Sequence, residues 1–362
     1  MIVKFINRSQ DKFFFTLRTR VEDYFKENNL SKFGDYRIWI KAIVMIGIYI
    51  TSYVLILTSG LSLGWLWLFS AIMGLTMAGT GLTVMHDACH GTFSKNNKVN
   101  EIFGYTLNFL GGHAMNWKIQ HNFLHHTYTN IEGMDEDITG KGVLRFSPHS
   151  DKKWYHKYQH FYAWFLYGFM TMLWVTTKDF KQIDRYSKQE LLKKFNTTRR
   201  KEFTIIIISK LFYYFYMGVL PLLILDITWW QWLIGFVTLQ FVAGWILAFI
   251  FQLAHVIEDA SNPKPNEVGE MENTWAIHQL FTTVNFAPKN WLVNWYTGGL
   301  NHQIEHHLYP NISHIHYGKI AKIVKETAKE CNLPYHEYRT MRSAVIAHFK
   351  HLRELGRQPQ LA

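Results

Sequence analysis

The chain alternates between long apolar runs and polar, histidine-rich stretches. Crossing a hydrocarbon core of about 30 Å takes about 20 apolar residues at about 1.5 Å each. Four runs meet that length: Ile38 to Thr58, Leu61 to Met85, Phe203 to Leu225 and Trp229 to Ala254. Only Ser59 and Gly60 separate the first two, and only Asp226, Ile227 and Thr228 the last two, so the pattern predicts two helical hairpins. A fifth run, Phe161 to Thr177, sits at the bottom of the spanning range, and Ile102 to Leu110 is too short to cross and is read as interfacial. At the N-terminus, Lys4, Phe5, Arg8, Lys12, Phe13, Phe14 and Phe15 alternate charge with aromatics, which predicts an interfacial helix and not a cleavable signal peptide.

Composition sharpens this picture. Apolar residues make up 48% and aromatics 17% of the chain, while charged residues are 18%, against about 25% in ordinary soluble domains. With 23 Gly, 8 Pro and 2 Cys, the chain is neither disordered, collagen-like nor a disulfide scaffold, and Cys89 and Cys331 imply no oxidising compartment. The net charge of +11 points to an anionic membrane surface as partner and not to nucleic acid, because the basic residues lie between runs too apolar for a soluble binding domain. Neither hairpin connector holds a Lys or Arg, whereas Lys95 to Lys201 holds seventeen and the first 36 residues hold seven. The positive-inside rule then places both termini and the middle segment in the cytoplasm.

The candidate chemistry lies in the 19 histidines. His86 and His90 stand where the second span ends; His121, His125 and His126 form a second cluster; His306 and His307, preceded by His302 and Gln303, form a third; and His255 ends the fourth span. Residues at i and i+4 share a helix face, about 5 to 6 Å apart at Cβ. Imidazoles gathered at the edge of lipid are costly unless they serve as a site, and eight or more of them can hold more than one metal ion. For the first two clusters to meet the rest, an even number of crossings must intervene. The second hairpin supplies two, so the 161 to 177 segment is expected to return to its own side as an interfacial or re-entrant helix anchored by Trp164, Tyr167 and Trp174.

Taken together, the three histidine clusters, the run Gly298-Gly299-Leu300-Asn301, the box Gln303-Ile304-Glu305-His306-His307 and the following Leu308-Tyr309-Pro310 resemble the membrane-bound fatty acid desaturases, over roughly Arg37 to Tyr335. Gln303, where most desaturases have His, resembles the front-end, linoleoyl-CoA-type branch. The resemblance implies an all-α, multi-pass fold: four membrane helices in two hairpins bearing a cytosolic helical cap (86–202 and 256–335) that holds a di-iron centre. An N-terminal segment (1–36) and a C-terminal tail (336–362) flank the desaturase domain (37–335). The implied ligands are His86, His90, His121, His125, His126, His255, Gln303, His306 and His307. His302 competes with Gln303. At about 100° per residue Gln303 lies about 40° from His307 and about 60° from His306, whereas His302 lies about 140° from His307, which favours Gln303. The implied reaction is oxygen-dependent insertion of a cis double bond into a fatty acyl chain carried on CoA or a lipid. No His-Pro-Gly-Gly haem motif occurs in the chain, so the expected electron donor is a separate ferredoxin or cytochrome b5-like protein with its reductase, and the expected location is a bacterial inner membrane with the site on the cytoplasmic side.

Breaking an unactivated C–H bond needs an oxidant that no side chain supplies, so the metal must carry the chemistry. Imidazole suits zinc, copper and nickel as well as iron. Iron, with O2 as co-substrate, comes from the resemblance alone. Candidates for orienting the imidazoles are Glu132, Asp135, Glu136, Asp137, Glu258, Asp259, His278 and Asn285. Trp117, Phe123, Trp291 and Trp295 are candidate walls of an acyl tunnel, while His113, His149, His156, His160, His314 and His316 match no box. Lys210, inside the third span, has no partner that the sequence suggests. A related lipid hydroxylase is the nearest alternative. A membrane zinc protease built on His302-Gln303-Ile304-Glu305-His306 leaves the first two clusters idle, and a metal transporter does not explain why the clusters gather at one face.

Overall fold

The computed structural model describes residues 3–6, 11–140 and 142–361, and it is mostly helical. Arg8, part of the N-terminal pattern above, lies outside the described residues. Two compact units result: Asp35–Ile119 with Trp164–Phe249, and Met1–Gly34 with Gln120–Ala163 and Ile250–Ala362.

The first of these carries the helices long and apolar enough to cross a membrane, four among the described residues: Tyr36–Thr58, Leu63–Cys89, Arg199–Ile224 and Trp229–His255, the last running on into the other unit. Their ends depart from the apolar runs because caps, not hydropathy, end a helix. Asp35 accepts the Arg37 backbone N–H at 2.9 Å and starts the first helix at Tyr36. The Thr198 hydroxyl accepts the Lys201 N–H at 3.3 Å, so the third begins at Arg199 with a charged first turn. The second continues through a π-helical turn, Gly81–Met85, into His86–Cys89. Large apolar side chains point outward along these helices, with Ile43 70%, Leu211 65% and Leu223 75% exposed, a surface suited to lipid and not to water. Inside, the second and fourth helices approach closely at Gly74, where a Cβ would lie 2.5 Å from the Leu239 carbonyl.

The 161 to 177 run is not one helix. It divides into Gln159–Tyr167, Met170–Leu173 and a π turn, Trp174–Lys178. The break falls at Gly168, which presses on Phe241 of the fourth long helix so tightly that a Cβ would sit 2.2 Å from the ring. Lys210, unaccounted for by the sequence, is buried with its ammonium donating to the Gly111 carbonyl (2.5 Å), the Trp174 carbonyl (2.5 Å) and Asp179 Oδ2 (2.6 Å). All three protons of the cation are thus accepted, which is what burial of a lysine requires.

In the other unit, Asp11 caps the Lys12–Glu27 helix by accepting the Phe14 N–H at 2.8 Å. Its Phe13, Leu17, Val21 and Phe25 pack against Leu280, Ile304, Leu308, Ile320 and Val324. The aromatic N-terminus therefore covers protein: each such buried side chain contributes about 1.5–3 kcal/mol, and the apolar face of this helix is not left for a membrane surface. Arg145, fully buried, donates to the carbonyls of Pro148, Ser150, Leu355, Gln358 and Pro359, tying the C-terminal residues to the 145–150 loop. A short parallel pairing of Asn285–Phe286 with Glu337–Tyr338 fixes Asn285.

The Lys210 ion pair generates a prediction. Lys210→Met leaves Asp179 buried without its cation and should cost about 3–5 kcal/mol. Adding Asp179→Asn should recover part of that loss. Thermal unfolding of the single and double variants in detergent measures both; equal melting temperatures for wild type and Lys210→Met would contradict the assignment.

Candidate metal centre

Three segments converge on one cluster of imidazoles whose rings lie in the unit formed by Met1–Gly34, Gln120–Ala163 and Ile250–Ala362. The first is the π-helical stretch Lys118–His125. Its wider turn lets His121 meet both His125, with ring centroids 5.1 Å apart, and His126 at 4.8 Å, where an α-helix would favour only the i+4 partner. The second is the end of the fourth long helix, which delivers His255 to 4.7 Å from the His125 ring. The third is the short helix Gln303–Leu308, whose His306 and His307 face His126 at 4.6 and 4.4 Å.

The rings are oriented by what holds their Nδ1 atoms. His125 Nδ1–H donates to Asp135 at 2.9 Å, and His121 Nδ1 lies 3.4 Å from Asp137. His255 Nδ1–H donates to the Thr282 carbonyl at 3.3 Å. His307 Nδ1–H donates to Gln279 Oε1 at 2.8 Å, and His306 Nδ1 meets the Tyr317 hydroxyl at 3.1 Å. The Nε2 atoms are left as the available ligand atoms. Those of His125 and His255 are buried with no hydrogen-bond partner among the described residues, and those of His121 and His126 stand 3.3 Å apart. In each of the trios His125, His255, His307 and His126, His306, His307 the ligand atoms lie within 4.8 Å of one another. Buried nitrogen lone pairs turned on one another are unfavourable without a cation between them, so these residues fit a bound metal.

Burial disfavours a charge on His125, but the Asp135 carboxylate, by charge and hydrogen bond, and Asp137 outweigh it and hold His125 above the ordinary histidine range. His278 behaves oppositely: burial pushes it down to about 4, against the hydrogen bond from its Nε2–H to the Thr129 carbonyl at 2.8 Å. It is a neutral prop for the loop that bears the second cluster.

The remaining sequence candidates are distributed as follows. His86 and His90 lie in the membrane-helix unit, with ring centroids 4.7 Å apart and both edge-on to Trp117 at 5.5 and 5.8 Å. Gln303 is buried at the start of its helix. His302 is buried too, but belongs to neither trio, and its Nδ1 is 3.7 Å from Glu305. Glu305 in turn accepts from Asn285 Nδ2 (2.8 Å) and the Tyr335 hydroxyl (3.0 Å). Glu258 and Asp259 are exposed, with Asp259 3.9 Å from His336, so neither orients the cluster. Glu132 accepts from the Ser150 hydroxyl at the surface. Trp291 is 76% exposed and lines no interior wall. Of the histidines outside the boxes, His113, His156, His160, His314 and His316 are buried and not superficial, and His113 pairs with Glu202 at 3.2 Å.

Sequence reasoning missed Gln279, Thr282, Tyr317, Asn130 and Phe251. Gln279 adjoins His278, which is the one available signal. Asn130, at φ +58, donates from its side chain to the His255 and Ser261 carbonyls at 2.9 and 3.1 Å and from its backbone to Asp135 at 2.9 Å. The Phe251 ring covers His125 and His255 at 5.0 and 4.8 Å.

Four lipid-suited helices and a buried, carboxylate-braced set of imidazoles are the make-up of a membrane enzyme. The sequence model of the family described as fatty acid desaturase matches residues 59–339, and the chain belongs to that family. It is similar to an acyl-lipid (8-3)-desaturase of Physcomitrium patens, 35% identical over 98% of this chain and 74% of the relative. It is also similar to the sn-1 linoleoyl-lipid 6-desaturases of Arthrospira platensis (34%, covering 95% of this chain and 92% of the relative) and Synechocystis sp. (32%, covering 94% of each).

Removing an outer partner should weaken metal binding without removing a ligand. Asp135→Asn and Gln279→Leu should each lower metal affinity about 10–100-fold, whereas Glu258→Gln should leave it unchanged. Competition against a coloured chelator measures all three.

Proposed function

We propose that this chain introduces a cis double bond into a fatty acyl chain carried on a membrane lipid, at a di-iron centre held by His86, His90, His121, His125, His126, His255, Gln303, His306 and His307. The observation that carries this reading is the buried cluster of His125, His126, His255, His306 and His307, whose ligand atoms fall within 4.8 Å of one another in two overlapping trios. The lipid carrier is favoured over CoA by the names of the relatives, which act on acyl lipids and linoleoyl lipids. Two irons bound there, with dioxygen and two electrons from a ferredoxin or cytochrome b5-like donor, supply the oxidant that an aliphatic C–H bond demands. The protein's own part is positioning: Asp135, Gln279, Thr282 and Tyr317 aim the rings, Asp135 and Asp137 offset the cationic charge, and Phe251 keeps water from His125 and His255. Gln303 as first member of the third box supports the front-end branch, with the new bond on the carboxyl side of an existing one. The absence of basic residues from both hairpin connectors supports two hairpins with termini and metal site cytoplasmic.

Expressed in a host lacking desaturases, the chain should yield one new unsaturated fatty acid in the lipid fraction, and purified protein should hold about two irons. His307→Ala and Gln303→Ala should abolish the product, while His302→Phe retains substantial turnover. A hydroxylated product, or a single zinc without iron, would overturn the reading.

Topology is checked separately by single cysteines in a cysteine-free background. Those replacing Ser59 and Thr228 should label from the far side of the membrane, and those replacing Ser150 and Ser187 only from the cytoplasm. Far-side labelling at position 187 would mean that the 161 to 177 segment crosses.

A further inference from the structure

Away from the histidines, the membrane-helix unit contains a cavity of about 270 Å³ between the ends of the long helices, with Tyr53, Leu66, Ser70, Met217, Gly235 and Phe236 among its walls. Its volume equals that of about nine waters at about 30 Å³ each, but a buried water needs two to four polar partners. The walls direct their polar groups elsewhere. Tyr53 donates its hydroxyl to the Tyr216 carbonyl, Ser70 to the Leu66 carbonyl (3.0 Å), Trp67 its indole N–H to Thr238 (2.6 Å) and Trp232 to the Met217 carbonyl (2.7 Å), while Gln231 Oε1 accepts the Thr228 N–H at 2.8 Å. What remains for an occupant is apolar surface.

Tryptophans mark the depth. Trp65 and Trp67 in the first turns of the second long helix and Trp229 and Trp230 at the start of the fourth are 53%, 56%, 68% and 49% exposed. Such a girdle sits at the headgroup level of a bilayer, and Trp67 and Trp230 are among the residues that line the cavity. From Met73, the cavity-lining residue of this helix nearest to His86, the helix advances about 20 Å at about 1.5 Å per residue to reach it. A single leaflet's chain fills about half of a core about 30 Å thick, or about 15 Å. A substrate chain reacting at the histidines therefore falls short of this cavity, a step that rests on the metal site proposed above.

We propose that the cavity binds the hydrocarbon chain of a resident bilayer lipid from the leaflet opposite the metal site, with its headgroup at the tryptophan girdle. The full chain in phosphatidylcholine bilayers containing a phosphatidylcholine with a diazirine midway along one acyl chain tests this. On irradiation, adducts should concentrate at residues 63–73 and 230–239 above those on the outer face around Ile208 and Leu211. Gly64, where an added Cβ meets nothing within 4 Å, accepts a filling side chain without a clash. Gly64→Phe and Ser70→Leu should each lower cavity adducts at least five-fold while leaving the outer-face adducts unchanged. Adducts unchanged in both variants would overturn the proposal. Because the readout is cross-linking, absence of iron or of desaturation would bear on the metal site and not on this cavity. If neither variant folds, adducts in the unaltered protein no denser at the cavity than at Ile208 and Leu211 would overturn it equally.

Discussion

A ligand imidazole is aimed by whatever its second nitrogen is hydrogen-bonded to, and that constraint shapes the unit that carries most of the histidine clusters. Five ligand candidates have Nδ1 engaged by acceptors or hydroxyls from three places in the chain: Asp135 and Asp137 in the loop after the second cluster, Gln279 and Thr282 on one helix, Tyr317 on another. Asn130 joins these parts, since one side chain in a left-handed backbone conformation binds the end of the fourth long helix while its N–H holds the carboxylate that orients His125. The core formed by the N-terminal helix and the Tyr317–Glu330 helix serves the same end, because it fixes Ile304 and Leu308 and with them the helix bearing His306 and His307.

The membrane-helix unit meets a different constraint. Charge inside it is tolerated only where every proton and lone pair is accounted for. Lys210 meets Asp179 and two carbonyls, and His113 meets Glu202, which also accepts the Thr197 hydroxyl. The Lys210 contacts fasten the 174–179 stretch to the third long helix, so this segment of short helices is held by polar bonds as well as by the ring packing of Phe169 on Phe241.

Much of this is legible in the sequence where the signal is local. The four long helices follow from apolar length, and the histidine pairs from spacing. What is not legible depends on chain direction after a helix ends. Glu132, Asp135, Asp137, Glu258 and Asp259 look alike as acids following a ligand, yet only Asp135 and Asp137 turn inward, because Asn130 bends the loop back, whereas the chain beyond His255 carries Glu258 and Asp259 out to solvent. Gln279 and Tyr317 carry no mark of their role, since their partners lie 28 and 11 residues away along the chain. The aromatic N-terminus suggests a membrane surface because periodicity reveals an apolar face but not what covers it.

The π turns at Gly81–Met85 and Lys118–His125 each precede or contain histidines of the first two clusters. A π turn holds one residue more than the α-helical turn that it replaces. The aim of these rings is therefore stored in a count of residues and not in the identity of any one of them. Single substitutions through such a turn leave that count intact, while loss of one codon would rotate everything beyond it by the angle of a residue. Divergence in this family should thus be freer in the non-histidine letters of these turns than in their length.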